Sequence, residues 1–135
     1  MTTTQRLKNS LQSYLSANRP SPSISVVDSK QREEIELPTL AIEVSGAEAH
    51  SIALPHIQNS EVTIKLRSHA GDDEDFPVDN WIDQIESLLC DPTAVKSAVA
   101  STIQMDHWIY NGSEQEWDES VLEVNFEANC LVSRV

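Results

Sequence analysis

The stretch Leu122-Glu123-Val124-Asn125-Phe126-Glu127-Ala128-Asn129-Cys130-Leu131-Val132 alternates apolar and polar side chains almost without interruption. Successive side chains of a strand point to opposite faces, so Leu122, Val124, Phe126, Ala128, Cys130 and Val132 share one face. Glu123, Asn125, Glu127 and Asn129 share the other. This is the signature of a long, half-buried strand whose apolar side must be covered by another layer. Upstream, Val62, Ile64 and Leu66 alternate with Glu61, Thr63, Lys65 and Arg67, and Leu40, Ile42 and Val44 alternate with Thr39, Ala41 and Glu43. Ser23 to Val27 is a shorter β-rich run. Between Ile103 and Tyr110 the same alternation predicts Ile103, Met105, His107 and Ile109 on the core side, with Trp108 and Tyr110 projecting from the opposite face beside Asp106.

The covering layer is written in a different period. Leu7, Leu11, Tyr14 and Leu15 fall on one helical face behind a cap at Thr3 or Thr4, and Asn18-Arg19-Pro20 ends that helix because the residue before proline is pushed out of helical angles. Val78, Trp81, Ile82, Ile85, Leu88 and Leu89 form a second stripe, flanked by Asp79, Asp83 and Glu86. Asp91-Pro92 reads as the cap and first residue of a short third helix over 92–100. Asp28 to Glu34 reads as a hairpin loop or a mobile excursion, Gly46 to Asn59 as an irregular connection, and Asn111-Gly112 as a turn. The order α-β-β-β-α-α-β-β predicts a single α+β domain over 1–135, with an antiparallel or mixed β-sheet flanked by the N-terminal helix and two central helices.

Charge divides the chain in two. Residues 1–67 hold seven basic and seven acidic side chains, whereas residues 68–135 hold fifteen acids against only Lys96 and Arg134, which accounts for the whole net charge of −13. No Lys or Arg occurs between Ser97 and Ser133. Affinity for nucleic acid comes largely from cations displacing condensed counterions, so such a chain should not grip DNA. At 135 residues the chain is large enough for one core without metal or disulfide staples, and with 39 % apolar but 5 % aromatic residues that core is mostly aliphatic. No stretch approaches the ~20 apolar residues of a membrane span. The first residues lack an apolar signal segment, and Cys90 and Cys130 match no metal-ligand or redox spacing, so both read as buried free thiols in a reducing cytoplasm.

Few constellations carry chemistry. Asp72, Asp73, Glu74 and Asp75 supply the oxygens that hard cations favour, but the spaced ligands, central glycine and distal Glu of an EF-hand are missing, so a solvated acidic loop is the reading. Cys90, His69 and His107 permit a Cys–His pair to be imagined, yet no residue pattern brings nucleophile and base together. Three glycines cannot build a phosphate-cradling loop. The chain is therefore read as a non-enzyme with no metal and no cofactor. Trp108, Tyr110 and Trp117 are the candidate interface residues, as exposed aromatics among polar groups; the alternative is that a second layer or the N-terminal helix covers them. Unpaired strand edges add to the interface case.

Several strings resemble the tail terminator (tail completion) proteins of long-tailed bacteriophages. These are the N-terminal helix with Leu7, Leu11 and Leu15, the strand Leu37-Pro38-Thr39-Leu40-Ala41-Ile42-Glu43-Val44-Ser45-Gly46-Ala47-Glu48, and the segment Glu61-Val62-Thr63-Ile64-Lys65-Leu66-Arg67-Ser68-His69 before an acidic loop and helix. Asp106-His107-Trp108 ahead of a variable loop and long final strand completes the likeness. The resemblance implies a structural subunit of the virion, at the tail–neck junction, assembled in the host cytoplasm. Its expected form is a homo-oligomer, a hexameric ring that caps the tail tube protein and docks the neck or connector protein. In a contractile tail it would also touch the sheath protein. Genomic DNA would pass through its channel without tight binding, and no membrane is involved. The candidate channel-facing acids are Glu123 and Glu127, then Asp72, Asp73, Glu74 and Asp75. Two other readings stand beside it: a head-completion or adaptor protein of the neck, and an acidic DNA mimic that inhibits a nucleic-acid enzyme.

Overall fold

A computed structural model describes residues 2–28, 37–51, 54–69, 78–118 and 120–134. The element order is α1 (Thr3–Asn18), β1 (Ser25–Asp28), β2 (Thr39–Ser51), β3 (Leu54–His69), α2 (Val78–Cys90), α3 (Pro92–Val99), β4 (Met105–Asp118) and β5 (Val121–Ser133). The strands form one mixed sheet in the order β1-β2-β3-β5-β4. Only β1 and β2 run parallel. A hairpin through 28–34 would have made them antiparallel, so of the two readings of that segment the hairpin is corrected; residues 29–36 themselves lie outside the described residues. The fold class is as the sequence predicts, α+β with helices on one side of the sheet.

The core forms where the apolar sheet face meets the helices. Leu7, Leu11 and Leu15 of α1, Ile85 and Leu89 of α2, and Val95 and Val99 of α3 pack with Leu40, Ile42, Val62, Ile64, Leu66, Val124, Phe126 and Val132. Thr2, one residue earlier than predicted, caps α1 by accepting from the Gln5 amide at 3.1 Å. Asp91 caps α3 through Oδ1, which accepts from the Thr93 and Ala94 amides, and Pro92 occupies the first turn where no amide is needed. Buried polar groups register the layers as well. Gln58 Nε2 donates to Thr4 Oγ1 of α1 at 3.1 Å and to Ser60 Oγ at 2.9 Å.

Both long hairpins run further than the turn residues suggest. Gly46 to Asn59 is largely β2–β3 ladder, with Ser45 opposite Glu61 and Glu48 opposite Asn59. The extra residue on β2 sits at Gly46, whose φ of +74° places it in the region where a bulge favours glycine. Likewise Asn111-Gly112 does not reverse the chain: Tyr110 pairs with Ala128 and Gly112 with Glu127, so one residue is bulged out and β4 continues to Asp118. Gly112 has φ +112°.

A second bulge in β4 changes which side chains are buried. Met105 faces Val132 but His107 faces Leu131, leaving Asp106 unpaired. From there the alternation is inverted. Trp108, opposite Cys130, is 4 % exposed, whereas Ile109 is 59 % exposed and His107 lies on the surface. The predicted core positions His107 and Ile109 are therefore corrected, and so is the projection of Trp108 and Tyr110 into solvent. Trp108 Nε1 donates to the Leu89 carbonyl at 2.7 Å, near the C-terminal end of α2, where helix carbonyls lack intrahelical donors.

Replacing Trp108 by Phe should cost about 2 kcal/mol, because packing is reduced and the Leu89 carbonyl loses a buried donor. Urea titration measures this, and an unchanged midpoint would contradict the assigned bond. The two thiols should also behave differently. Cys130 is buried and its thiol is pushed up to about 12 by desolvation, whereas Cys90 is exposed. A thiol reagent at neutral pH should label one site per native chain and the second only on unfolding.

Candidate functional site

The β-sheet has a second face on which none of the three helices packs. Its composition follows from the ladders, because directly paired residues share a face. One row runs Thr39, Arg67, Glu123, Glu116; the next Ala41, Lys65, Asn125, Glu114; the next Glu43, Thr63, Glu127, Gly112. Beyond them come Ser45, Glu61, Asn129 and Ile109. These four rows hold six carboxylates (Glu43, Glu61, Glu114, Glu116, Glu123, Glu127) together with Lys65 and Arg67. Near β1 the face is closed, with Val27, Thr39 and Ala41 buried.

The two predicted strand acids lie on this face but differ in state. Glu123 sits between the cations: Oε2 lies 3.4 Å from Arg67 Nε and Oε1 4.0 Å from Lys65 Nζ. All three side chains are about one-quarter exposed, so their mutual screening replaces much of what solvent would supply. Its carboxylate faces both cations of this face. Glu127 is exposed and, with Glu61, Thr63, Asn111 and Asn129, lines a polar depression of about 250 Å³ beside the Gly112 bulge. Asp72, Asp73, Glu74 and Asp75 lie outside the described residues.

The predicted aromatic residues separate into three situations. Trp108 is core. Tyr110 packs against the core from the helix side and donates from its hydroxyl to Glu86 Oε2 at 2.9 Å; Ser113 Oγ donates to the same oxygen at 3.2 Å. Desolvation first, then the bond to the Glu86 carboxylate, raises the phenol above its ordinary range. Trp117 is 63 % exposed, near the far end of the β4–β5 hairpin and opposite Leu122. Ile109 is the other large exposed apolar side chain among the described residues, and the sequence reading missed it because the Asp106 bulge cannot be seen in a two-residue alternation.

The imagined Cys–His chemistry is not assembled. Cys90 ends α2 on the helix side of the sheet, exposed rather than buried because it sits one position beyond the Leu89 stripe. His107 pairs with Leu131 and so projects from the opposite sheet face. His69 closes β3 opposite Val121. Partial desolvation, then Glu86, raises the Cys90 thiol, the reverse of what an activated nucleophile requires. Among the described residues no cluster of three or more metal-ligating side chains occurs, and no helix is long and apolar enough to cross a membrane.

Among the described residues both ends of the sheet are open. β4 is an edge strand from Met105 to Asp118, and at the other end β1 pairs only with Thr39 to Ile42 of β2, leaving β2 from Glu43 onward without a described partner on that side. Such edges present unpaired backbone donors and acceptors to another chain.

No family model and no curated protein matches the chain. Among solved structures, it is similar to a chain in one described as the virion of a native gene transfer agent (GTA) particle, at 10 % sequence identity and a TM-score of 0.52. The match covers 98 % of this chain and 95 % of that one, and what is shared at this identity is the fold along nearly the full length of both.

Proposed function

We propose that this chain is a structural subunit of a phage-like particle, working as a tail terminator: a hexameric ring that caps the completed tail tube and offers its other side to the neck. The observation that carries this reading is the sheet itself, with two unlike open edges at opposite ends and one face free of helices. A closed ring requires two different, complementary patches on each subunit, and the β4 edge from Met105 to Gly112 with the uncovered length of β2 supplies such a pair. The end-to-end likeness of fold to a chain of a gene transfer agent virion supports a role in a particle.

In this arrangement the helix-free face looks onto the channel. DNA passing there meets Glu127, Glu43 and Glu61, while Lys65 and Arg67 are held by Glu123 and present no free pair of cations to phosphate. Glu123 is then a neutraliser rather than a repelling charge, and Glu127 carries the repulsion. The interleaving of Lys65 and Arg67 among the acids also weakens the DNA-mimic reading, since an even track of phosphate-like charge would be broken at that point.

Electron microscopy of the purified chain mixed with tail tubes tests the reading. Six-fold rings, or tubes ended by an added ring and no longer elongating, are the expected outcome; free tube growth in excess protein would refute it. The channel charge is tested by Glu127→Lys. In assembled rings this variant should retain duplex DNA at low salt and release it as salt rises, whereas the unaltered ring retains none. Glu123→Lys, beside Lys65 and Arg67, should retain DNA more strongly still.

A further inference from the structure

The stretch from Ser113 to Trp117 is exposed at every residue, so both faces of β4 are open there. Its first residue makes the last side-chain bond described between β4 and α2, from Ser113 Oγ to Glu86 Oε2. Trp117 points toward the helix side and is 63 % exposed, although the other two tryptophans, Trp81 and Trp108, are 3 % and 4 % exposed. Glu114 and Glu116 point to the other face and are exposed. One short length of edge strand therefore presents a large aromatic on one side, two carboxylates on the other, and an unpaired backbone edge between them.

We propose that residues 113–117 form a docking arm for a second, basic protein, with Trp117 as the apolar anchor and Glu114 and Glu116 facing the partner's cations. An aromatic side chain brings about 150–250 Å² of surface to such a contact, and Trp is among the residues that most often dominate an interface. The partner's chemistry follows from charge. The residues directly opposite Glu114 and Glu116 are Asn125 and Glu123, neither of them a cation, so the arm is acidic. Another copy of the chain is a poor match. Each copy carries a net charge of −13. Among its described cations Lys8 pairs with Asp28, Lys65 and Arg67 pair with Glu123, and Arg19 donates to the Ile24 carbonyl, which leaves the half-buried Arg6 on α1 and Lys96 on α3. Nucleic acid is repelled by the same acids. What fits is a protein cleft with an apolar pocket on one wall and Lys or Arg on the other, gripping the strand from its edge. This rests on the reading of the chain as a particle subunit, whose axial neighbours would be the candidates, and it names which surface meets one of them.

The test uses the full chain, a short peptide of alternating Lys and Leu, and a peptide of alternating Lys and Ser with the same charge. Binding is read from the anisotropy of fluorescein-labelled peptide, and contact at Trp117 from Trp emission and shielding against iodide. The Lys–Leu peptide should shift and shield Trp117, weaken with salt, and bind at least tenfold more tightly than the Lys–Ser peptide. Trp117→Ala, expected to melt at an unchanged temperature, should lose tenfold or more of that affinity, and Glu114→Gln with Glu116→Gln should lose its salt dependence. Equal affinity for the two peptides, or equal binding by Trp117→Ala, overturns the proposal. So does self-association abolished by Trp117→Ala, which would make a second copy the occupant, or shielding of Trp117 by a duplex oligonucleotide. Failure to cap tubes with the peptide result intact would count against the terminator reading and leave the docking arm standing.

Discussion

The β3–β5 ladder is the constraint on which the rest of the molecule depends. Thirteen consecutive pairs, from Ile57 opposite Ser133 to His69 opposite Val121, run without a register shift, whereas both flanking ladders contain bulges. Because the side-chain period is two, a slip of one residue would turn either Val62, Ile64 and Leu66 or Val124, Phe126 and Val132 to the opposite face. That would strip α1, α2 and α3 of the surface they cover. The unbroken central register defines an apolar face and a polar face, and irregularity is displaced outward to β2 and β4, where an extra residue disturbs fewer neighbours.

The bulges decide what the edges offer. At Asp106 the inversion takes Trp108 into the core, where its indole donates to the Leu89 carbonyl, and turns Ile109 outward. At Gly112 a second extra residue lets β4 continue as an arm beyond the helix layer. The strand that gives the core one of its largest side chains at one end therefore exposes Trp117 at the other. Core packing and the proposed partner contact would use different lengths of one strand.

Charge is organised by the same frame. The cross-strand pairing of Arg67 with Glu123, with Lys65 alongside, joins cations from the neutral half of the chain to an acid from the acidic half. Glu127, four residues further on the same face, has no cation opposite it, since its partners are Thr63 and Gly112. Two acids that look equivalent in sequence thus have opposite consequences, one closing a patch of cations and the other leaving negative charge on the open face.

Much of this was legible from the amino-acid sequence alone. The unbroken alternation of 122–132 and 61–67 determined two strands and their apolar faces, the helical stripes of α1 and α2 determined the covering layer, and Asp91-Pro92 determined the start of α3. These are local periods and caps, set by backbone geometry within a few residues. Tertiary structure alone decided the parallel pairing of β1 with β2, the extension of both hairpins through Gly46 and Gly112, and the burial of Trp108 in place of Ile109. It also decided that Glu123 lies between two cations while Glu127 faces none. Each depends on which residue stands opposite across a strand pair, and a bulge changes that opposition without leaving a mark in the alternation itself.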